Sequence, residues 1–146
     1  MPILPPSSNA QYAGAPLAAY FLALVGLLTI VPGLIHTFLP DGGAGVIAGM
    51  DLSGSGAAVI GVFAWAGATQ IVWGTALLVA SLRYRSLVPP LLALVLLERS
   101  LIAANLWLGK AAASGHHPPG AYGSLISVPL ILAALAFALR ARTKES

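Results

Sequence analysis

The sequence predicts an all-α integral membrane protein, a single domain over residues 1–146 built as a bundle of four transmembrane helices with both termini in the cytoplasm. The chain is 58% hydrophobic and only 8% charged, with a mean hydropathy of +0.91. Soluble domains carry about a quarter charged residues. Four apolar segments are each long enough to cross a hydrocarbon core of about 30 Å at about 1.5 Å per residue. Basic residues gather on one side of these segments.

The four predicted helices cover residues 16–39, 57–82, 87–109 and 121–140. The first two segments contain no Asp, Glu, Lys or Arg, and the fourth is rich in alanine. In the third segment, Pro89 and Pro90 fall in the first turns, where proline is tolerated, and Ser86 is placed to cap the helix. Residues 40–56 and 110–120 are rich in Gly, Pro, Ser and His and are predicted to be loops.

The distribution of basic residues predicts the orientation. Four spans put both termini and the second turn on the same side. That side holds five basic residues, whereas the opposite side holds only Lys110. Cytoplasmic segments carry an excess of Lys and Arg, so we expect a multi-pass protein of the cell inner (plasma) membrane with cytoplasmic termini. The five residues are Arg83, Arg85, Arg140, Arg142 and Lys144.

Small residues mark the helix faces that we expect to pack closely, because they let helix backbones approach one another. The first helix has one such face and the second has two that overlap. On the first helix the face is Ala15, Ala19, Ala23 and Gly26; on the second, one face is Ala57, Gly61, Ala64, Ala68 and Thr75, and the other is Gly67, Gln70 and Gly74.

The third helix carries the only charges in the middle of a predicted span, Glu98 and Arg99. Ionisable residues at this depth are costly, and they mark functional sites by default. Consecutive helical residues do not face each other, so we expect Glu98 to find its partner in Gln70, near the middle of the second helix, rather than in Arg99. Asn105 lies seven residues after Glu98, on nearly the same face.

Two interpretations of this polar group, Glu98, Arg99, Gln70 and Asn105, stay open. It could bind a proton, a cation or the polar head of a lipophilic ligand. It could instead be a buried hydrogen-bond network that keeps the helices in register. The side chains give no ligand type, and we expect no cofactor beyond a bound lipid or lipophilic molecule.

A second set of side chains gathers at the predicted outer face, where imidazole and carboxylate groups could bind a divalent metal. Their spacing follows no recognisable ligand pattern, so we expect no metal site there. The residues are His36, Asp41, Asp51, His116 and His117. The sequence also lacks cysteine, a nucleophile elbow, a phosphate loop and a dinucleotide fingerprint. A net charge of +3 is too small and scattered to indicate nucleic-acid binding.

Residues 66–80, AGATQIVWGTALLVA, are followed by a basic turn and by a helix containing Arg99. In this order of features the chain resembles the small four-helix bacterial membrane proteins grouped as DoxX-like. The resemblance implies a four-helix fold but no particular activity, because the group has no uniform one, and Glu98 and the His-rich loop have no counterpart in its pattern. The chain also resembles the small multidrug exporters in size and span count. Their functional glutamate is in the first helix, which has no acid here.

Three hypotheses for function follow. The residues favour a small accessory subunit that docks partner helices or lipid through its small-residue faces and polar midplane. One alternative is a homo-oligomeric transporter or channel with Glu98 as the proton-coupling residue. The other is an intramembrane enzyme or binding protein for a lipophilic molecule, with Glu98 as acid or base. The expected partners are membrane lipid and other membrane subunits or a second copy of the chain, and not nucleic acid.

Overall fold

The computed structural model describes residues 3–109, 115 and 117–140. Its helices are α1 (Pro16–Phe38), α2 (Gly56–Arg83), α3 (Val88–Trp107) and α4 (Pro119–Leu139). Every bound lies within two residues of the prediction, and the described residues contain no strand, so the all-α prediction is confirmed. All four helices are long and apolar enough to cross a membrane. Proline stands in the first turn of α1, α3 and α4, where its missing N–H costs no hydrogen bond.

The helices run alternately up and down and pair as two hairpins. α1 packs mainly on α2, and α3 packs mainly on α4. The consecutive helices α2 and α3 make few contacts with each other. The bundle therefore has a space between α2 and α3 on one of its sides.

Two pairs of glycines hold α1 against α2. A Cβ atom added to Gly74 would lie 2.7 Å from the carbonyl oxygen of Gly26, and one added to Gly67 would lie 2.7 Å from that of Gly33. The glycines of each helix are seven residues apart, about two turns, so both pairs meet on one face. This glycine seam is the reason why α1 and α2 approach so closely. It uses the Gly67–Gln70–Gly74 face of α2. The other predicted face is exposed at Ala57, Gly61, Ala68 and Thr75 and half-buried at Ala64.

The packed core lies in one half of the bundle. We call the end that carries Arg83 and Arg85 the basic end, and the end that carries residues 39–55 the loop end. The core comes from the first halves of α1 and α3 and the second halves of α2 and α4, which all lie toward the basic end. Its fully buried large residues are Leu22, Leu77, Val88, Leu92, Val95 and Ile131.

Residues 3–15 pack across the basic end and serve as a cap for α2. The side chain of Asn9 donates to the carbonyl oxygen of Leu82 (2.7 Å) and accepts from the amide of Arg85 (3.2 Å). The amide of Ser8 donates to the carbonyl oxygen of Arg83 (3.1 Å). These bonds satisfy carbonyls that a helix leaves without partners at its C-terminus. The prediction that Ser86 caps α3 is wrong, because its hydroxyl bonds instead to that of Ser8, 2.7 Å away.

The loop between α1 and α2 is organised by one carboxylate. Asp41 accepts hydrogen bonds from the amides of Gly43 (2.8 Å), Gly45 (3.1 Å) and Val46 (2.8 Å). Gly42 and Gly43 have φ angles of 61° and 76°, which glycine adopts without strain. The Val46 and Gly43 amides, in that order, lower the pKa of Asp41, because they stabilise its charged form.

Candidate functional site

Glu98 faces the space between α2 and α3. We call this space the α2–α3 cleft; its volume is about 790 Å³. The Glu98 side chain is 37% exposed, and its Oε2 atom is buried without a hydrogen-bond partner among the described residues. The rest of the lining is mostly apolar, and its polar groups are the hydroxyl of Thr69 and the indole N–H groups of Trp65 and Trp73. The lining residues are Trp65, Ala68, Thr69, Val72, Trp73, Ala76, Leu94 and Glu98.

Arg99 points the other way, into a cavity among all four helices on the loop-end side of the core. We call this the inner cavity; its volume is about 370 Å³. The Nη2 atom of Arg99 donates to the hydroxyl of Thr29 (3.1 Å), which itself donates to the carbonyl oxygen of Val25 (2.8 Å). Thr29 is only 3% exposed, so α1 holds the guanidinium in place with a buried hydroxyl.

Glu98 and Arg99 do come close to one another. The Nε atom of Arg99 lies 3.8 Å from Oε2 of Glu98, which is within ion-pair distance but too long for a hydrogen bond. The expectation that these neighbours cannot pair is therefore wrong. Their backbone directions differ by about 100°, but side chains of this length can bend around the helix toward each other. The contact leaves Oε2 without a hydrogen-bond donor.

Gln70 lines the inner cavity with Arg99, and it does not hydrogen bond to Glu98. Its Oε1 atom is buried and has no hydrogen-bond partner among the described residues. The predicted Glu98–Gln70 bond is wrong, because the glycine seam turns Gln70 toward α1 while Glu98 faces another side of α2. A buried amide oxygen left without a donor costs about 1–3 kcal/mol. Gln70 therefore brings a buried, unused acceptor to the wall of the inner cavity.

Asn105 belongs to neither space. It is exposed, and its Nδ2 atom donates to the carbonyl oxygen of Leu101 on its own helix (2.9 Å). Sequence reasoning grouped it with Glu98 by helical spacing, but the two side chains have separate environments. The same reasoning missed Thr29. The signal was present, since Thr29 is the only polar residue in the apolar run 21–35.

The predicted outer-face residues that the structure describes make local contacts. Nδ1 of His36 donates to the carbonyl oxygen of Gly42 (2.7 Å), and its ring meets Phe63 edge-to-face at 4.9 Å. His117 stacks on Trp107 at 4.2 Å. Asp51 accepts from the amide of Ser53 (2.9 Å), which lowers the Asp51 pKa. His116 lies outside the described residues. Within the described residues, no three His, Asp or Glu side chains gather as a metal site would require.

Searches of family models, curated proteins and solved structures find no match to this chain. The Glu98–Arg99 pair stands between the two spaces, with the carboxylate facing the α2–α3 cleft and the guanidinium facing the inner cavity. A group that binds Glu98 in the cleft would weaken the attraction of Glu98 for Arg99. A group that binds Arg99 in the cavity would weaken the same attraction from the other side.

Proposed function

We propose that this protein is a four-span accessory subunit of the cell inner membrane, with cytoplasmic termini, that docks a transmembrane helix of another protein in its α2–α3 cleft. The observation that carries the proposal is the 37% exposed carboxyl side chain of Glu98 in an otherwise apolar cleft. In hydrocarbon, an ionisable group open to lipid costs several kcal/mol, so the assembled protein must cover it.

The shape of the cleft favours a helix as its occupant. On α2 the lining runs from Trp65 to Ala76, which is about 17 Å along the axis at 1.5 Å per residue. This length corresponds to three turns of a docked helix. Next to it, the exposed small-residue face of α2 continues to Gly61, where an added Cβ would meet no atom within 4 Å. Small residues are typical of helix interfaces in membranes.

The charge of the cleft favours another protein over a second copy of this chain. The occupant needs a Lys, Arg or hydrogen-bond donor at half depth to satisfy Glu98. Arg99 is the only Lys or Arg of this sequence near the middle of a span, and its guanidinium already contacts Thr29 and Glu98 within its own chain. A second copy would therefore bring no free cation to the cleft. The homo-oligomeric transporter with Glu98 as proton carrier is the competing arrangement.

Site-specific crosslinking tests the proposal. A photoreactive phenylalanine at Ala68, which lines the cleft, should crosslink in native membranes to one transmembrane segment of a different protein. The mapped segment should carry a basic or donor side chain at half depth. The same probe at Ile126, exposed on α4 and away from the cleft, is the matched control and should not give this adduct. Adducts only to a second copy, or only to lipid, would refute helix docking by another protein.

Two substitutions of Glu98 examine the role of the carboxyl group. Glu98→Leu removes every hydrogen-bonding atom, so the Ala68 adduct should be lost while the purified protein keeps its helical content. Glu98→Gln keeps an acceptor and should retain a weakened adduct. If Glu98→Leu crosslinks as efficiently as the wild type, the carboxyl group does not bind the partner and the proposal fails.

Cysteine labelling tests the orientation, which rests on the excess of basic residues near the termini. The chain has no cysteine, so in each single-cysteine variant only the introduced thiol can react with the reagent. Ser86→Cys, at the basic end, should react with an impermeant reagent only after the cells are opened. Ser114→Cys, outside the described residues, should react in intact cells. The reverse pattern would place the termini on the outside.

A further inference from the structure

We infer that the inner cavity binds a small, neutral, apolar molecule that carries a hydroxyl group. The inference is separate from partner docking, because the inner cavity and the α2–α3 cleft share no lining residue. The juxtaposition that carries it is that Gln70, whose buried Oε1 has no hydrogen-bond partner among the described residues, lines the same cavity as Arg99.

The position of the cavity fits a ligand site. It lies on the loop-end side of the packed core, where α1 contributes Pro32 and His36, α2 contributes Phe63 and Gln70, and α3 contributes Arg99 and Ile102. The volume of about 370 Å³ falls in the range of small-molecule sites, about 300–1,000 Å³. Such sites combine a mostly apolar lining with a few polar groups, as this one does.

The polar groups define the chemistry of the ligand. Gln70 Oε1 is an acceptor without a donor among the described residues, so the ligand must donate a hydrogen bond. Arg99 has five N–H donors, of which the structure commits one on Nη2 to Thr29, so the ligand can also accept. A hydroxyl group does both with one atom. His36 offers a second acceptor, because a neutral imidazole that donates through Nδ1 to Gly42 has its lone pair on Nε2.

The charge balance indicates a neutral molecule. The guanidinium of Arg99 is already paired with Glu98 at 3.8 Å, so a carboxylate or phosphate ligand would add an uncompensated negative charge at this depth. A cation would face the guanidinium of Arg99 directly. A neutral hydroxyl adds no charge and leaves the Glu98–Arg99 pair in place. The remainder of the lining, including Pro32, Phe63 and Ile102, suits an apolar body.

The test uses the full chain in lipid nanodiscs and a pair of matched probes, a ring-fluorinated 4-propylphenol and its methyl ether. The ether keeps the shape and the acceptor but lacks the donor. Fluorine NMR should show a saturable bound resonance for the phenol and binding at least about tenfold weaker for the ether. Tenfold corresponds to about 1.4 kcal/mol, within the range for one buried hydrogen bond.

Variants connect the binding to the cavity. Gln70→Leu should weaken phenol binding about tenfold or more and leave the weak binding of the ether unchanged. Asn105→Leu, which removes an amide from α3 outside the cavity, should change neither. If Gln70→Leu does not fold, Ile102→Phe provides an independent test, since the larger ring should fill the cavity and abolish the bound resonance. Equal affinities for phenol and ether, no saturable binding, or an equal loss in Asn105→Leu would overturn the inference.

Discussion

Replacing Gly67 with alanine should separate α1 from α2, because the glycine seam leaves no room for a methyl group. The added Cβ would lie 2.7 Å from each of three atoms: the carbonyl oxygen of Gly33, Cβ of His36 and Oγ1 of Thr37. Ordinary van der Waals contact begins at 3.4 Å, so these atoms would have to move by about 0.7 Å. The carbonyl oxygen of Gly33 is part of the α1 backbone and Cβ of His36 is attached to it, so these two atoms can move away only if α1 itself shifts.

Gly61 is the matched control for this substitution. It lies on the same helix, is exposed, and has open space where its Cβ would stand. Both alanines bring the same gain in helix propensity, about 1 kcal/mol. The difference in the free energy of unfolding between the two variants therefore isolates the cost of overpacking, typically about 1–3 kcal/mol. We expect Gly67→Ala to be less stable than Gly61→Ala by this amount.

Reversible unfolding in mixed micelles of dodecyl sulfate and a mild detergent measures the difference, with the fluorescence of the three tryptophans as the signal. Gly74→Ala, whose Cβ would lie 2.7 Å from the carbonyl oxygen of Gly26 and from Cγ1 of Ile30, should behave like Gly67→Ala. If Gly67→Ala and Gly61→Ala unfold at the same denaturant fraction, α1 and α2 do not approach as closely as described and the reasoning is refuted.

Three further outcomes are expected. Asn9→Ala removes the side-chain bonds to Leu82 and Arg85 and should lower the free energy of unfolding by about 0.5–2 kcal/mol in the same assay; an unchanged midpoint would mean that residues 3–15 do not cap α2. The pKa of Asp41 is lowered in the folded protein, so its ionised carboxylate stabilises the fold. This contribution to the free energy of unfolding is fully present above the unfolded pKa of about 3.9 and is lost as the pH falls through the folded pKa. The difference in unfolding midpoint between wild type and Asp41→Asn should thus be constant above about pH 5 and shrink below about pH 4, and a pH-independent difference would contradict this. Elemental analysis of protein purified without chelator should find no stoichiometric zinc, copper or iron, and one metal per chain that is lost in His116→Ala would contradict that expectation.

The sequence alone determined the number, type and bounds of the helices. A helix needs about 20 apolar residues to cross the hydrocarbon core of a membrane, and each of the four segments reaches this length independently of the rest of the chain. Prolines at 16, 89 and 90 fit the starts of two helices locally, because the first turn of a helix does not use the N–H that proline lacks. Pro119, predicted to lie in the loop, starts α4 for the same reason. The sequence also placed Glu98, Arg99 and Gln70 near the middle of their helices, because that position follows from the helix bounds alone.

Only the tertiary structure decided which faces meet. α2 carries two small-residue faces, and composition does not rank them; the reciprocal fit of Gly67 and Gly74 against Gly33 and Gly26 selects one. That choice rotates Gln70 toward α1 and the inner cavity and leaves the face beside Ala68 open to the cleft.

The partners of the polar residues followed from that rotation. Glu98 and Gln70 both lie near the middle of their helices, and Asn105 follows Glu98 by about two turns, but the three side chains occupy the cleft, the cavity and an exposed face. The Arg99–Thr29 bond joins residues 70 positions apart. No local pattern encodes such a contact, because it depends on the distance and rotation between α1 and α3, which the packing of all four helices sets together.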